Sequence, residues 1–227
     1  MDLITTIDQL MSKDNKLRAN AEILISNLIQ QDFYDYLEKM CYILAGENYN
    51  LNARQMASTL IKNPIIYLSK YKQAWKDMNS EKKEHIKQLI LSTLGSSIEM
   101  IRKSAASVIA SIAKIETPIS EKWSALLPIL CQEKFENVSF QLAAIETLGY
   151  ICEELTKSDI LSNEVDQILS AIVLAIKNNL NNQPLVVLGL KALIKVFPLI
   201  GALKMSNKVK NTFLILIIQI FLYIELL

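Results

Sequence analysis

The 227 residues include 24 Lys+Arg against 23 Asp+Glu and a single histidine; 51% are hydrophobic and 21% charged. This composition excludes a disordered or low-complexity chain, and a net charge of +1 excludes a general nucleic-acid binder, which needs a cationic excess to neutralise phosphates. Five glycines and five prolines are too few for a loop-rich sandwich and predict helices joined by short turns.

In chain order, apolar residues recur at helical spacing almost throughout. DLITTIDQLM is followed by RANAEILISNLIQ, where Ala21, Leu24, Ile25 and Leu28 share one face. FYDYLEKMCYILA precedes ARQMASTLIKN, with Ala57, Leu60 and Ile61 aligned, and Pro64 is expected to end that run. Residues 65–79 read as the longest irregular stretch. There Lys70, Lys72 and Lys76 surround Trp75, which either packs the loop down or forms a basic aromatic contact site. SEKKEHIKQLILSTLG leads to IRKSAASVIASIAKI, with Ala105, Val108, Ile109 and Ile112 as its stripe. WSALLPILCQE leads to FQLAAIETLGYICEEL, with Ala144, Leu148 and Ile151. VDQILSAIVLAIKNN leads to PLVVLGLKALIKVF, with Gly189, Ala192, Leu193 and Val196, and Pro184 suits the start of that helix.

The second helix of each pair superposes on a small residue: Ala21, Ala57, Ala105, Ala144 and Gly189. Each has Ile or Leu four positions on, at Ile25, Ile61, Ile109, Leu148 and Leu193. The steps between them are 36, 48, 39 and 45 residues, the period of two-helix solenoid repeats. A small residue lets a neighbouring helix approach, and the branched residue one turn on fills the space. The expected fold is therefore all-α, an α-α superhelix of about five helical hairpins, each an A helix followed by a B helix. The B helices are expected to line a concave side.

Chemistry is scarce. Cys41, Cys131 and Cys152 are widely spaced among apolar neighbours and form no CxxC pair, and no secretory segment is recognised. They read as buried small hydrophobes in a reducing cytosolic or nuclear setting. The sole histidine, His85, lies in a charged helical stretch and reads as part of a solvated face. No phosphate-binding glycine loop, metal-ligand motif or nucleophile elbow occurs, and the acids are scattered or paired with lysine at helical spacing. The expectation is a binding surface, with no enzymatic activity, cofactor or metal. Phe213 to Leu227 is almost uncharged and shorter than the ~20 residues that span a membrane. It reads as a buried helix of a truncated sixth repeat rather than a membrane anchor. The expected domains are thus residues 1–213, the helical repeats, and 214–227, an apolar tail.

ARQMASTLIKN resembles the signature of the importin-beta N-terminal domain. IRKSAASVIASIAKIETPISEKWSALLPIL continues the likeness, and IETLGYICEEL is its most specific part. The resemblance covers roughly residues 1–213 and implies a HEAT-repeat solenoid of a nuclear transport receptor, found in cytoplasm, nucleus and at the pores of the nuclear envelope. It implies that B helices bind the small GTPase Ran in its GTP form, with Lys62 and Asn63 the matching contacts and Arg54 mainly structural, pairing with a neighbouring turn. It also implies a groove for phenylalanine–glycine repeats of nucleoporins, with Leu169, Ser170 and Val173 on one wall and Phe213 and Leu214 on the other. The family grips importin alpha and its cargo in later repeats, so those partners are expected only if further repeats exist. The competing reading is a HEAT-repeat scaffold or adaptor with unrelated protein partners.

Overall fold

The computed structural model describes residues 2–135, 137–156 and 159–200. Among the described residues there are twelve helices and no strand. They fall into two compact units that divide between Ser111 and Ile112, within one helix.

The first unit holds α1 (Leu3–Leu10), α2 (Asn15–Gln31), α3 (Phe33–Ala45), α4 (Leu51–Tyr67), α5 (Ser69–Asp77), α6 (Ser80–Thr93) and most of α7 (Glu99–Ile115). Side-chain caps start most of these helices. Asp14 accepts from the amides of Lys16 and Leu17, Asp32 from Asp35, Asn50 from Ala53 and Asn79 from Lys82. Each cap satisfies an amide that the first helical turn leaves unpaired. α1 packs on α2, α3 packs on α4 and α6, and α4 packs on α5. In the core, Ala21, Ala57 and Ala105 are fully buried, and Ile25, Ile61 and Ile109, each four positions on, are buried with them.

Two expectations fail between Pro64 and Met78. α4 does not end at Pro64 but runs through it to Tyr67. Proline removes the amide that would pair with the Leu60 carbonyl. The Tyr36 hydroxyl donates to that carbonyl at 2.8 Å, so the acceptor is not left unpaired. The stretch after it is not irregular either: Ser69–Asp77 forms α5, and Trp75 is fully buried on its inner face. The packing role of Trp75 therefore stands, and the basic aromatic contact site does not.

The second unit holds the end of α7, then α8 (Ile119–Lys122), α9 (Leu126–Leu130), α10 (Val138–Glu154), α11 (Ser162–Asn178) and α12 (Gln183–Ile200). α10 packs on α9 and α12, and α11 packs on α12. The helix expected to begin at Trp123 is instead shortened to α9, and a separate short helix, α8, precedes it. Trp123 itself is buried at the break, following α8. The buried Glu164 carboxylate accepts from the amides of Ser120 and Leu161, at 2.6 and 3.0 Å, and so ties α11 to α8. Gly189 lies where α12 crosses α11. A methyl group there would stand 2.5 Å from Ile176 Cγ1, so any larger residue would force the Ile176 side chain to shift. Ala144, Leu148 and Leu193 are buried as the repeat register requires. Residues 214–227, read as an apolar tail, lie outside the described residues.

Candidate functional site

Lys62 and Asn63 sit in the middle of α4, not at a helix end, because the helix continues past Pro64. Lys62 is half-buried, and its Nζ donates to Ser107 Oγ on α7 at 2.8 Å. An ammonium carries three donors, so two remain for a partner. Asn63 is exposed and lines an apolar cavity of about 330 Å³. The structure thus brings these two residues together on one helix, with the lysine held by the next B helix.

Arg54, nine residues before Asn63, is 2% exposed. Its Nε donates to the Leu44 carbonyl at 2.9 Å and an Nη to the Ala45 carbonyl at 3.3 Å. These are carbonyls at the C-terminal end of α3, which the helix cannot pair internally. Burial lowers the guanidinium pKa, with Glu47 partly offsetting that effect. The structural role read from the sequence is therefore the observed one.

The same device recurs, and reading the sequence missed it. Arg18 is the fourth residue of α2 and donates to the Ser12 carbonyl at 2.6 Å. Arg102 is the fourth residue of α7 and donates to the carbonyls of Ser96 and Ser97 at 2.8 and 3.1 Å. All three arginines lie three positions before the small landmark residue, and each locks the turn that joins an A helix to its B helix. The fourth and fifth repeats carry Gln141 and Val186 at that place. The signal was available in the spacing, since Arg18, Arg54 and Arg102 keep register with Ala21, Ala57 and Ala105.

The other proposed contacts are placed differently. Leu169 and Val173 are 0% and 1% exposed inside α11, so they pack in the core and offer no open groove wall. Apolar positions three and four apart on a helix face the core by the same pattern that suggests a groove. Ser170 is half-buried between them. Phe213 and Leu214 lie outside the described residues.

His85 is not simply solvated. Its Nε2 lies 3.1 Å from Glu38 Oε1 on α3 and 3.5 Å from the Tyr42 hydroxyl. Tyr34 donates to the same Glu38 oxygen at 3.0 Å, and burial followed by that hydrogen bond pushes its phenol up to about 12. This cluster joins α3 to α6. Cys41 and Cys152 are buried and Cys131 is half-buried. Burial pushes the thiols of Cys131 and Cys152 up to about 12 and that of Cys41 higher still, which keeps all three protonated and unreactive at neutral pH.

Residues 25–96, which run from α2 past α6, match the importin-beta N-terminal domain family. Importin subunit beta-1 of Schizosaccharomyces pombe is 33% identical over 172 residues, covering 73% of this chain and 20% of the relative. This chain contains an importin-beta N-terminal region. A solved Kap95:Nup1 complex aligns with a TM-score of 0.84 and 24% identity, over 96% of this chain and 27% of that one. A structure in which Kap95p binding moves the switch loops of RanGDP to the GTP-bound conformation aligns with a TM-score of 0.77 and 23% identity, over 96% and 26%. The fold of the importin-beta N-terminal region is accordingly the all-α HEAT-repeat solenoid. The chain spans about one fifth of the length of the curated relative it matches.

Proposed function

We propose that this importin-beta N-terminal region works in nuclear import, binding the GTP form of Ran through its B helices and nucleoporin FG repeats elsewhere, without catalysis. The observation that carries the reading is the 33% identity to importin subunit beta-1 across 172 residues. Kap95, of the same fold, occurs in complex with Nup1 and acts on the switch loops of Ran. Lys62 and Asn63 are the GTPase contacts of this reading. Lys62 keeps two donors for an acidic or carbonyl group while Ser107 fixes its position. Cytoplasm, nucleus and nuclear pores are the corresponding locations.

The test is a pull-down of the purified chain with Ran loaded with either nucleotide. Retention of the GTP form alone supports the reading; equal retention of both forms, or of neither, overturns it in favour of a scaffold with unrelated partners. Passage over an immobilised FG-repeat column tests the pore contact separately, and elution with the void volume removes it.

A further inference from the structure

The apolar cavity beside Asn63 belongs to the first unit and is built by α1, α2, α4 and α5, with Tyr36 of α3 at its floor. Its walls are Leu10, Ile29, Leu60 and Tyr71, with a volume of about 330 Å³, enough for one or two side chains of a peptide. Its mouth is not sealed. Tyr67 is 75% exposed and Leu68 is 48% exposed, so the apolar surface continues outward onto the junction of α4 and α5. Solvent-facing apolar patches that continue into a cavity mark interaction sites.

Charge separates the candidate occupants. From Leu60 to Met78 the chain carries Lys62, Lys70, Lys72 and Lys76 against the single acid Asp77. Lys70 and Lys72 are exposed on α5, and Lys70 Nζ lies 5.4 Å from the centre of the Tyr71 ring that forms the cavity wall. Tyr71 is held in place by Phe33, whose ring centroid lies 5.1 Å away. Glu22 is the one carboxylate among the lining residues and stands on the opposite, α2, edge. The cavity is therefore apolar, with Lys70 beside its Tyr71 wall and Glu22 on its α2 edge.

We infer that this cavity docks a protein segment in which a bulky apolar side chain is flanked by carboxylates, the apolar group entering between Leu60 and Tyr71 and a carboxylate lying beside Lys70. Burial of the apolar group supplies the affinity. Lys70 supplies orientation and a dependence on salt. Asn63, exposed and lining the cavity, offers the polar side chain that an extended segment's backbone would pair with. The cavity shares Asn63 with the proposed GTPase contact but is otherwise built from different residues, and its test uses no GTPase.

Three fluorescein-labelled peptides serve as probes: one with leucine between paired glutamates, one with that leucine replaced by serine, and one with the glutamates replaced by lysines. Anisotropy titration with the full chain is expected to show binding of the first, at least tenfold weaker binding of the other two, and weakening of the first as salt rises from 50 to 300 mM. Ser26→Phe, on the exposed rim of α2, fills the mouth and is expected to weaken the first peptide at least tenfold. Lys70→Glu is expected to weaken the first peptide about fivefold and to strengthen the lysine peptide. Both sites are exposed, and an unchanged circular dichroism melt shows that each variant folds. Equal binding of all three peptides, no binding of the first, or indifference to Ser26→Phe overturns the inference. A self-associating chain that Ser26→Phe makes monomeric, without peptide binding, also overturns it and assigns the face to a second copy.

Discussion

Tyr36→Phe deletes one oxygen and leaves the Leu60 carbonyl without a donor beside Pro64. The expected cost is about 1–2 kcal/mol, read as a lower urea midpoint with unchanged slope. Arg54→Ala removes two charge-assisted bonds to the end of α3 and leaves a void where a buried guanidinium lay. It is expected to cost about 2–3 kcal/mol, and Arg54→Lys recovers little because an ammonium cannot span both carbonyls. The thiols set a pH dependence. An unfolded cysteine ionises near ~8.5, whereas Cys131 and Cys152 hold their protons to about 12 in the fold. Below about pH 8.5 both states are protonated and the contribution to stability is complete. Above it only the unfolded state releases protons, so stability falls as pH rises and levels off once the folded thiols ionise near 12. Urea midpoints between pH 8 and 10.5 are expected to decline, and a variant with all three cysteines replaced by alanine is expected to decline less. The cysteines were legible from their apolar neighbours. The Tyr36 bond was not, because a contact across 24 residues leaves no periodic trace.

Among the helices, the close crossing of α11 and α12 carries the sharpest expectation. Gly189→Ala pushes a methyl group into Ile176 and is expected to cost about 1–3 kcal/mol. The same substitution on an Ile176→Ala background is expected to cost less, and a double-mutant cycle measures the difference as coupling. The hairpin order, the landmark residues and the branched residue one turn later could be read from spacing, because burial of a stripe imposes a period on the sequence. The ends of α4 and the existence of α5 could not. Proline and a lysine-rich, locally polar segment both signal a break, and here a hydroxyl and a buried tryptophan override that signal. Leu169 and Val173 show the converse ambiguity. Their spacing fits a groove wall or a core stripe equally well, and the structure puts them in the core.

On the scale of the whole chain, the family was legible through resemblance rather than chemistry, since its motifs serve helix packing and turns and carry no reacting group. ARQMASTLIKN lies within the matched residues 25–96. Its arginine holds a turn, its alanine admits a neighbouring helix, and its last two polar residues, Lys62 and Asn63, are the ones the proposed reading gives to a partner. Lys62→Glu is expected to weaken binding of the GTP form of Ran on the order of tenfold, about 1.4 kcal/mol. The loss is expected to shrink in high salt. Titration calorimetry at two ionic strengths checks both statements, and a loss independent of salt would assign Lys62 a packing role instead.

The pairing of Tyr36 with Leu60 makes two distant positions answerable to each other. Pro64→Ala restores the missing amide, so that the helix closes its own ring and the phenol becomes redundant. With the proline in place Tyr36→Phe strands the Leu60 carbonyl, whereas with the alanine it does not. Descendants of this sequence can therefore lose the tyrosine cheaply only after they have lost the proline, which gives the two substitutions a preferred historical order.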